Sequence, residues 1–224
     1  MHRSNPGPAK EEAEPWWIRR GDLVESVEVT IATSFPLLRV IHTPYGPLIR
    51  GRILVLGTPF SIEIQFPPDY DDFPIPAVWE TGGRIERTLD RHINRDGTAC
   101  TCVPEEWLAK TAQPTFEAFM SGPLYTFFLG QVHFEEFKTF PWGERQHGIV
   151  GLYESYAEML GTKIDAAEIS ATLLILTKTD IKGHFECPCG SSKRLRACCR
   201  SRIEELKSRL PAKLVARMYS KVTL

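Results

Sequence analysis

The sequence predicts an α+β protein: an antiparallel four-stranded meander flanked by helices, with a small metal module near the C-terminus. Three observations point there. Four strand-like runs follow one another with short links between residues 36 and 80, and helical patterns take over from residue 115. Four cysteines then crowd into residues 187–199, a spacing that suits a metal ion. With 224 residues, 42% of them hydrophobic and 10% aromatic, the chain can bury a substantial core, which excludes disorder of the whole.

The elements follow in order. Residues 1–14, with Pro6, Pro8, Lys10, Glu11, Glu12 and Glu14, read as a mobile tail. They lack the apolar run of a signal peptide, and no stretch reaches the ~18 apolar residues of a membrane span, so a cytoplasmic protein with no membrane partner is expected. Glu14 to Glu25, with Trp16, Trp17, Ile18 and Leu23, reads as a helix. The tryptophan pair could form a partner patch, but packing under the sheet is the simpler reading. Strands are expected at Pro36–Thr43, Leu48–Leu56, Phe60–Phe66 and Ala77–Glu80. Pro44-Tyr45-Gly46 and Gly57-Thr58 supply turns, and Ser61–Phe66 alternates polar and apolar as a half-buried strand should. From residue 81 to about Gln113 the chain reads as one long loop, where function often sits. Helices are then expected over Thr115–Leu129, His147–Leu160 and Asp165–Thr177, with Trp79 and Trp107 as core. Ile203, Leu206 and Leu210 mark a basic amphipathic helix, and Leu214 and Met218 a second one starting near Pro211.

The net charge of −1 hides a split. Residues 181–224 hold eleven Lys and Arg against three Glu, a formal +8, which leaves −9 on residues 1–180. Four thiolates on one zinc ion would lower the tail to about +6. The plain reading is a solvated basic helix. The sharper one is a docking arm for an acidic protein partner or, less favoured, for nucleic acid.

The metal module is Cys187-Pro-Cys189-Gly-Ser-Ser-Lys-Arg-Leu-Arg-Ala-Cys198-Cys199. Paired cysteines at each end let a short chain wrap an ion, and Gly190 relieves the backbone between them. Four soft thiolates in a tetrahedron suit zinc and leave no open position for water, so the expected zinc is structural. Two disulfides or free thiols are the alternative. This string resembles the SEC-C motif, the zinc-binding tail of the SecA translocation motor that recurs on unrelated bacterial proteins. The resemblance covers residues 183–200, including the Gly-Ser after the first pair and the basic residues before the second. It implies Cys187, Cys189, Cys198 and Cys199 as ligands and a module that docks on protein partners.

A second constellation runs Asp90-Arg91-His92-Ile93-Asn94-Arg95-Asp96-Gly97-Thr98-Ala99-Cys100-Thr101-Cys102. A cysteine in a Gly-containing loop can be exposed enough to react, and Arg91, Arg95 and His92 could favour its thiolate. An imidazole or amide beside it could donate to a developing oxyanion, so the parts for acyl transfer through a thioester are present. Cys102 reads as a buried small residue rather than a second nucleophile, and His92 could equally be a satisfied loop histidine.

The order helix, four strands, Phe66-Pro67-Pro68-Asp69-Tyr70 with Pro74 and Pro76, loop cysteine, Trp107 and helices resembles the ubiquitin-conjugating enzymes. The resemblance covers about residues 15–135. Asn94 and Asp96-Gly97 precede Cys100 as comparable residues precede that family's catalytic cysteine. Asp90-Arg91-His92 stands where eukaryotic members carry His-Pro-Asn, so His92 occupies the place of the oxyanion-side Asn. A histidine there is typical of bacterial relatives from antiphage operons, such as CBASS and the bacterial ubiquitin-like pathways. The implied layout is a mobile tail (1–14), a ubiquitin-conjugating-like domain (15–162), a linking helix (163–180), the zinc module (181–200) and basic helices (201–224).

Two functions follow. In the first, Cys100 accepts the C-terminal acyl group of a ubiquitin-like protein, or of a signalling nucleotidyltransferase, and passes it to a lysine of a protein target, with His92 assisting. No Gly-rich nucleotide loop is present, so a separate activating enzyme must perform adenylation. Lys221-Val-Thr-Leu224 lacks the Gly-Gly ending of a modifier, which makes this chain the carrier rather than the cargo. In the second, the same fold is a non-catalytic scaffold that recruits a partner through the zinc tail.

Overall fold

The computed structural model describes residues 14–141, 146 and 148–223. Most of the expected mobile tail therefore lies outside the described residues, as do His147 and Leu224. The chain divides between Arg84 and Ile85 into two units.

In the first unit, α1 (Trp16–Arg19) and α2 (Gly21–Ser34) precede a four-stranded antiparallel sheet in the order β1-β2-β3-β4. The strands are β1 (Leu38–Thr43), β2 (Gly46–Val55), β3 (Thr58–Gln65) and β4 (Ala77–Glu80). The period-2 pattern does the work: Phe60, Ile62 and Ile64 are buried on β3, and they register with Ile53, Gly51 and Ile49 of β2. Val78 continues the apolar row opposite Ile64. On the other face Arg50 pairs with Glu63 directly across the ladder. The β2–β3 turn falls one residue earlier than expected, on Leu56 and Gly57, both at positive φ (50° and 78°), as a type I′ hairpin requires.

Helix α2 buries Val27, Thr30 and Ile31, a narrow stripe at helical spacing, and packs on β1. Trp16 is wholly buried, with Tyr70 and Phe66 rings at 5.0 and 5.7 Å, so this tryptophan is core rather than a partner patch. Trp79, read as core from the sequence, is only half-buried. Gly51 sits at φ 148°, and a Cβ there would meet the Leu37 carbonyl oxygen at 2.2 Å. That same carbonyl accepts from the Arg52 amide at 3.0 Å, so only glycine lets the chain pass so closely. Buried Glu80 closes the unit by accepting from the amides of Gly82 (2.7 Å) and Arg84 (3.0 Å).

The second unit is helical. A 3-10 turn at Leu89–Arg91 leads into the Cys100 loop. Helix α3 (Pro104–Lys110) interrupts what the sequence suggests is irregular chain. Pro104 at the first helical position and Glu105-Glu106 in the first turn are standard start signals, and they account for it. Thr115 caps α4 (Phe116–Phe119), its hydroxyl accepting from the Ala118 amide. Pro123 cannot donate to the ladder, and the chain answers with a π-turn over Met120–Leu124 before α5 (Tyr125–Phe137). Helices α6 (Gly148–Leu160) and α7 (Ala166–Thr177) follow, the latter capped by Asp165 accepting from the Glu168 amide at 2.8 Å. The cysteine module leads to α8 (Arg200–Arg209) and α9 (Ala212–Val222), with α9 packed on α7 and α3. No helix among the described residues is long and apolar enough to cross a membrane.

Most basic residues of the tail are engaged within this unit. Lys207 donates to the carbonyls of Leu176 (2.7 Å) and Lys178 (2.6 Å), which closes the C-terminal end of α7. Arg209 donates to Met159 and Arg202 to Gly161 at the end of α6. These carbonyls have no partner within their own helices, and cations at that end also meet the negative pole of the helix dipole. Arg217 and Lys221 converge on Glu105. The basic segment thus also helps to hold this unit together.

Candidate functional site

The Cys100 loop is a tight hairpin. Ile93 and Ala99 form an antiparallel bridge, and the Cys100 amide donates to the His92 carbonyl at 2.8 Å. Inside it the Asn94 amide donates to Thr98 (2.8 Å) and the Gly97 amide to Asn94 (2.9 Å), with Gly97 at φ 85°. Asp96 accepts from both the amide and the hydroxyl of Thr98, at 3.0 and 2.6 Å, and these bonds hold its carboxyl below the usual range. The Asn94 side chain donates to the Thr98 hydroxyl at 2.9 Å. Asn94 and Asp96-Gly97 therefore serve as the scaffold that fixes Cys100 against His92.

His92 has a left-handed backbone (φ 52°, ψ 37°), which turns the chain from the 3-10 turn into the hairpin. Its imidazole packs edge-on against Phe140, with centroids 4.7 Å apart. Both His92 and Cys100 lie on the wall of a cleft of about 870 Å³ whose apolar lining includes Trp107, Phe127, Phe140 and Leu152. Trp107, half-buried, is thus a cleft wall as well as a partner of Phe119. Cys102 lines the same cleft but is less exposed than Cys100.

The electrostatics differ from the expectation that Arg91, Arg95 and His92 favour a Cys100 thiolate. Arg91 is occupied elsewhere: its Nε donates to buried Gln131 at 2.9 Å, and its guanidinium lies 4.5 Å from the Phe134 ring centre. Gln131 in turn donates to the Arg91 carbonyl at 2.9 Å, tying the loop to α5. Although Cys100 reaches solvent, the cleft walls strip hydration from its sulfur and push the thiol upward. Burial pushes Cys102 further, to about 12, with neighbouring Cys100, Glu105 and Glu106 adding to it. Burial thus disfavours the thiolate at both cysteines, and Cys100 is the more accessible of the two.

The second cluster comprises Cys187, Cys189, Cys198 and Cys199, whose sulfurs all lie within 4.8 Å of one another. Cys189 Sγ is 3.3 Å from Cys187 Sγ and 3.5 Å from Cys198 Sγ, and Cys198 is 3.7 Å from Cys199. None of these separations is a disulfide, whose sulfurs lie ~2.05 Å apart. A metal–sulfur tetrahedron with bonds of ~2.3 Å has edges of about 3.8 Å, and these three separations, of 3.3, 3.5 and 3.7 Å, fall just below that figure. The backbone makes this quartet. Cys187 donates to the Lys193 carbonyl at 2.9 Å, Glu186 and Arg194 form a bridge, and Gly190 and Ser192 turn the chain at positive φ. Ser191 donates its hydroxyl to Cys198 at 3.4 Å. The neighbouring Ser191 and Cys187 side chains lower the Cys189 thiol to about 6, while burial raises Cys199. Four cysteine sulfurs within 4.8 Å of one another are a set of soft donors suited to a cation.

Sequence reasoning missed Glu105. This carboxylate is fully buried, with Oε1 receiving Arg217 Nε at 3.1 Å and Lys221 Nζ at 2.8 Å. Tyr156, also buried, lies against it, and burial followed by the Glu105 charge raises its phenol. Glu106 faces the cleft and holds Lys110 at 2.6 Å and the Ser155 hydroxyl at 2.7 Å. Compared with family models, curated proteins and solved structures, the chain finds no match in any of the three.

Proposed function

We propose that this chain is a thioester carrier of the ubiquitin-conjugating kind, with Cys100 as the acceptor and the four-cysteine module holding one structural zinc ion. The observation that carries the reading is the placement of Cys100. It is solvent-accessible on the wall of an apolar cleft, in a hairpin locked by Asn94, Asp96 and Thr98, with His92 on the same wall. An antiparallel meander precedes that loop in the chain order the resemblance requires.

The chemistry balances without a cofactor in this chain. The Cys100 sulfur attacks the thioester carbonyl of a donor already activated by a separate enzyme. A new carbon–sulfur bond forms at Cys100, the old one breaks, and the proton of Cys100 passes to the departing thiolate. A lysine amine of the target then attacks, the amide forms, and the Cys100 thiol is restored. The raised thiol suits a carrier: a less acidic thiol is the poorer leaving group, so its thioester persists longer against stray exchange. Cys187, Cys189, Cys198 and Cys199 would hold zinc as a closed centre that supplies only rigidity.

The test incubates the chain with an activating enzyme and ubiquitin-like protein from the same operon, and ATP, and reads the adduct on non-reducing gels. A thiol-labile adduct lost in Cys100→Ala and kept in Cys102→Ala is expected, and Cys100→Ser should convert it to a thiol-resistant ester. His92→Ala should spare charging and slow aminolysis, by up to ~10²–10³ if the imidazole serves as an oxyanion donor. Charging that depends on Cys102 instead would overturn the assignment. The raised Cys100 thiol also favours a second reading, a binding module of the same fold, which wins if the wild-type chain never charges.

A further inference from the structure

We infer that Glu105 is a positioning residue through which the C-terminal helix controls the Cys100 segment; as a control on thioester acceptance, the inference rests on the function proposed above. Glu105 stands in the first turn of α3, three residues after Cys102, and is wholly removed from solvent. A buried carboxylate needs compensating charge, and both of its cationic partners come from one helix, α9. Arg217 and Lys221 are four residues apart, so α9 presents them on one face. Removing α9 would leave Glu105 charged in an apolar setting, beside Tyr156, with no cation to meet it. The first turn of α3 must then open to hydrate it, and Cys102, Val103 and Pro104, all cleft-lining residues, move with that turn.

The clamp is also connected to the cysteine module by a continuous run of packed chain. Cys199 is the N-cap residue of α8, its carbonyl accepting from the Ile203 amide at 3.0 Å. Helix α8 is fastened to the ends of α6 and α7 by Arg202, Arg209 and Lys207, and Leu210-Pro211 leads directly into α9. A metal ion on the four sulfurs fixes the start of α8, and α8 sets where α9 can dock. Loss of the metal therefore loosens the Glu105 clamp, and the Cys100 segment with it.

The experiment measures the rate at which iodoacetamide alkylates Cys102, the less exposed thiol of the segment, in the full chain, in a Cys100→Ala background, with the site assigned by peptide mass spectrometry. R217M/K221M should raise the rate at least about tenfold, the ratio that ~1.4 kcal/mol of easier local opening produces. Adding Glu105→Gln should bring the rate back toward the parent value, because the uncompensated charge is gone; a merely packing role for α9 predicts no such rescue. Should the double variant fail to fold, Lys221→Met alone should shift the rate in the same direction, by less. Metal removal by chelation should accelerate alkylation in the parent and add little in R217M/K221M. An unchanged rate in R217M/K221M, or a rise that Glu105→Gln does not reverse, overturns the inference. Alkylation needs no acyl donor, so a chain that never charges but whose alkylation follows this pattern refutes the carrier function and leaves the clamp in place.

Discussion

Replacing Cys189 by serine tests the metal assignment most directly. Cys189 is the hub of the quartet, 3.3 Å from Cys187 and 3.5 Å from Cys198. Its loss removes a ligand that hardly any side-chain motion could replace. The module has little else to hold it: beside the buried Pro188, Leu195 is its wholly buried anchor, worth ~1.5–3 kcal/mol. A structural zinc ion in a small module is worth on the order of 10 kcal/mol, so the metal dominates. Purified wild type should hold close to one zinc per chain by plasma mass spectrometry, and Cys189→Ser far less. Thiol titration of the native protein should report the remaining module cysteines only in the variant or after chelation. Amide exchange over residues 183–199 should collapse toward unprotected rates in the same samples. A metal-free wild type whose module amides stay protected would refute the reasoning, since no other interaction there is large enough.

Three further outcomes are expected. Iodoacetamide alkylation of Cys100 should keep rising with pH beyond the ~8.5 of a free thiol, because burial favours its protonated form; a midpoint at or below that value would contradict the cleft geometry. Glu105 is held below the usual carboxylate range by Lys221 and Arg217 against a large desolvation penalty, so its stabilising contribution is present above ~4.3 and lost as pH falls through its folded value. Lys221→Met should therefore cost about 1–2 kcal/mol near neutral pH, a discounted figure because 34% of that side chain is exposed, and the cost should vanish in acid melts. Gly51→Ala should destabilise the first unit by about 1–3 kcal/mol or more in chemical denaturation, since its Cβ would collide with the Leu37 carbonyl at 2.2 Å; an unchanged midpoint would mean that the close approach relaxes freely.

What the sequence makes legible is what short-range chemistry decides. The alternation at Ser61–Phe66 reads as β3 because period-2 burial needs no knowledge of the rest of the chain. The four cysteines read as one cluster because two close pairs, with Gly190 to turn the chain between them, let a short segment wrap one ion. Helix α3 was also legible, in Pro104-Glu105-Glu106, but the surrounding Gly- and Arg-rich chain reads as loop and masks a seven-residue helix. The state of Cys100 was not legible. Arg91 and Arg95 stand beside it in sequence, yet the atoms that set its hydration belong to a cleft walled by Trp107, Phe127, Phe140 and Leu152, and Arg91 is spent on Gln131, forty residues away. Glu105 was invisible for the same reason, since Arg217 lies 112 residues further along the chain.

The charge split has structural uses that a charge count does not show. Eight excess positive charges on residues 181–224 invite a reading in terms of an acidic partner. Yet Lys207, Arg209 and Arg202 all donate to backbone carbonyls, of Leu176, Lys178, Met159 and Gly161, which carry no formal charge and leave no trace in a charge count, Arg202 also lying 4.0 Å from the Glu168 carboxylate. Helix ends that fall inside a packed unit need donors, and long cationic side chains reach them while keeping their stems against the apolar surface. Arg217 and Lys221 meet a carboxylate that could not otherwise be buried. Much of the positive tail is thus bound up in closing helices α6 and α7 and in compensating Glu105. An acidic ligand would have to compete with contacts that hold this unit together, and Lys193 and Arg196, exposed on the cysteine module, are better placed than α8 or α9 to receive one.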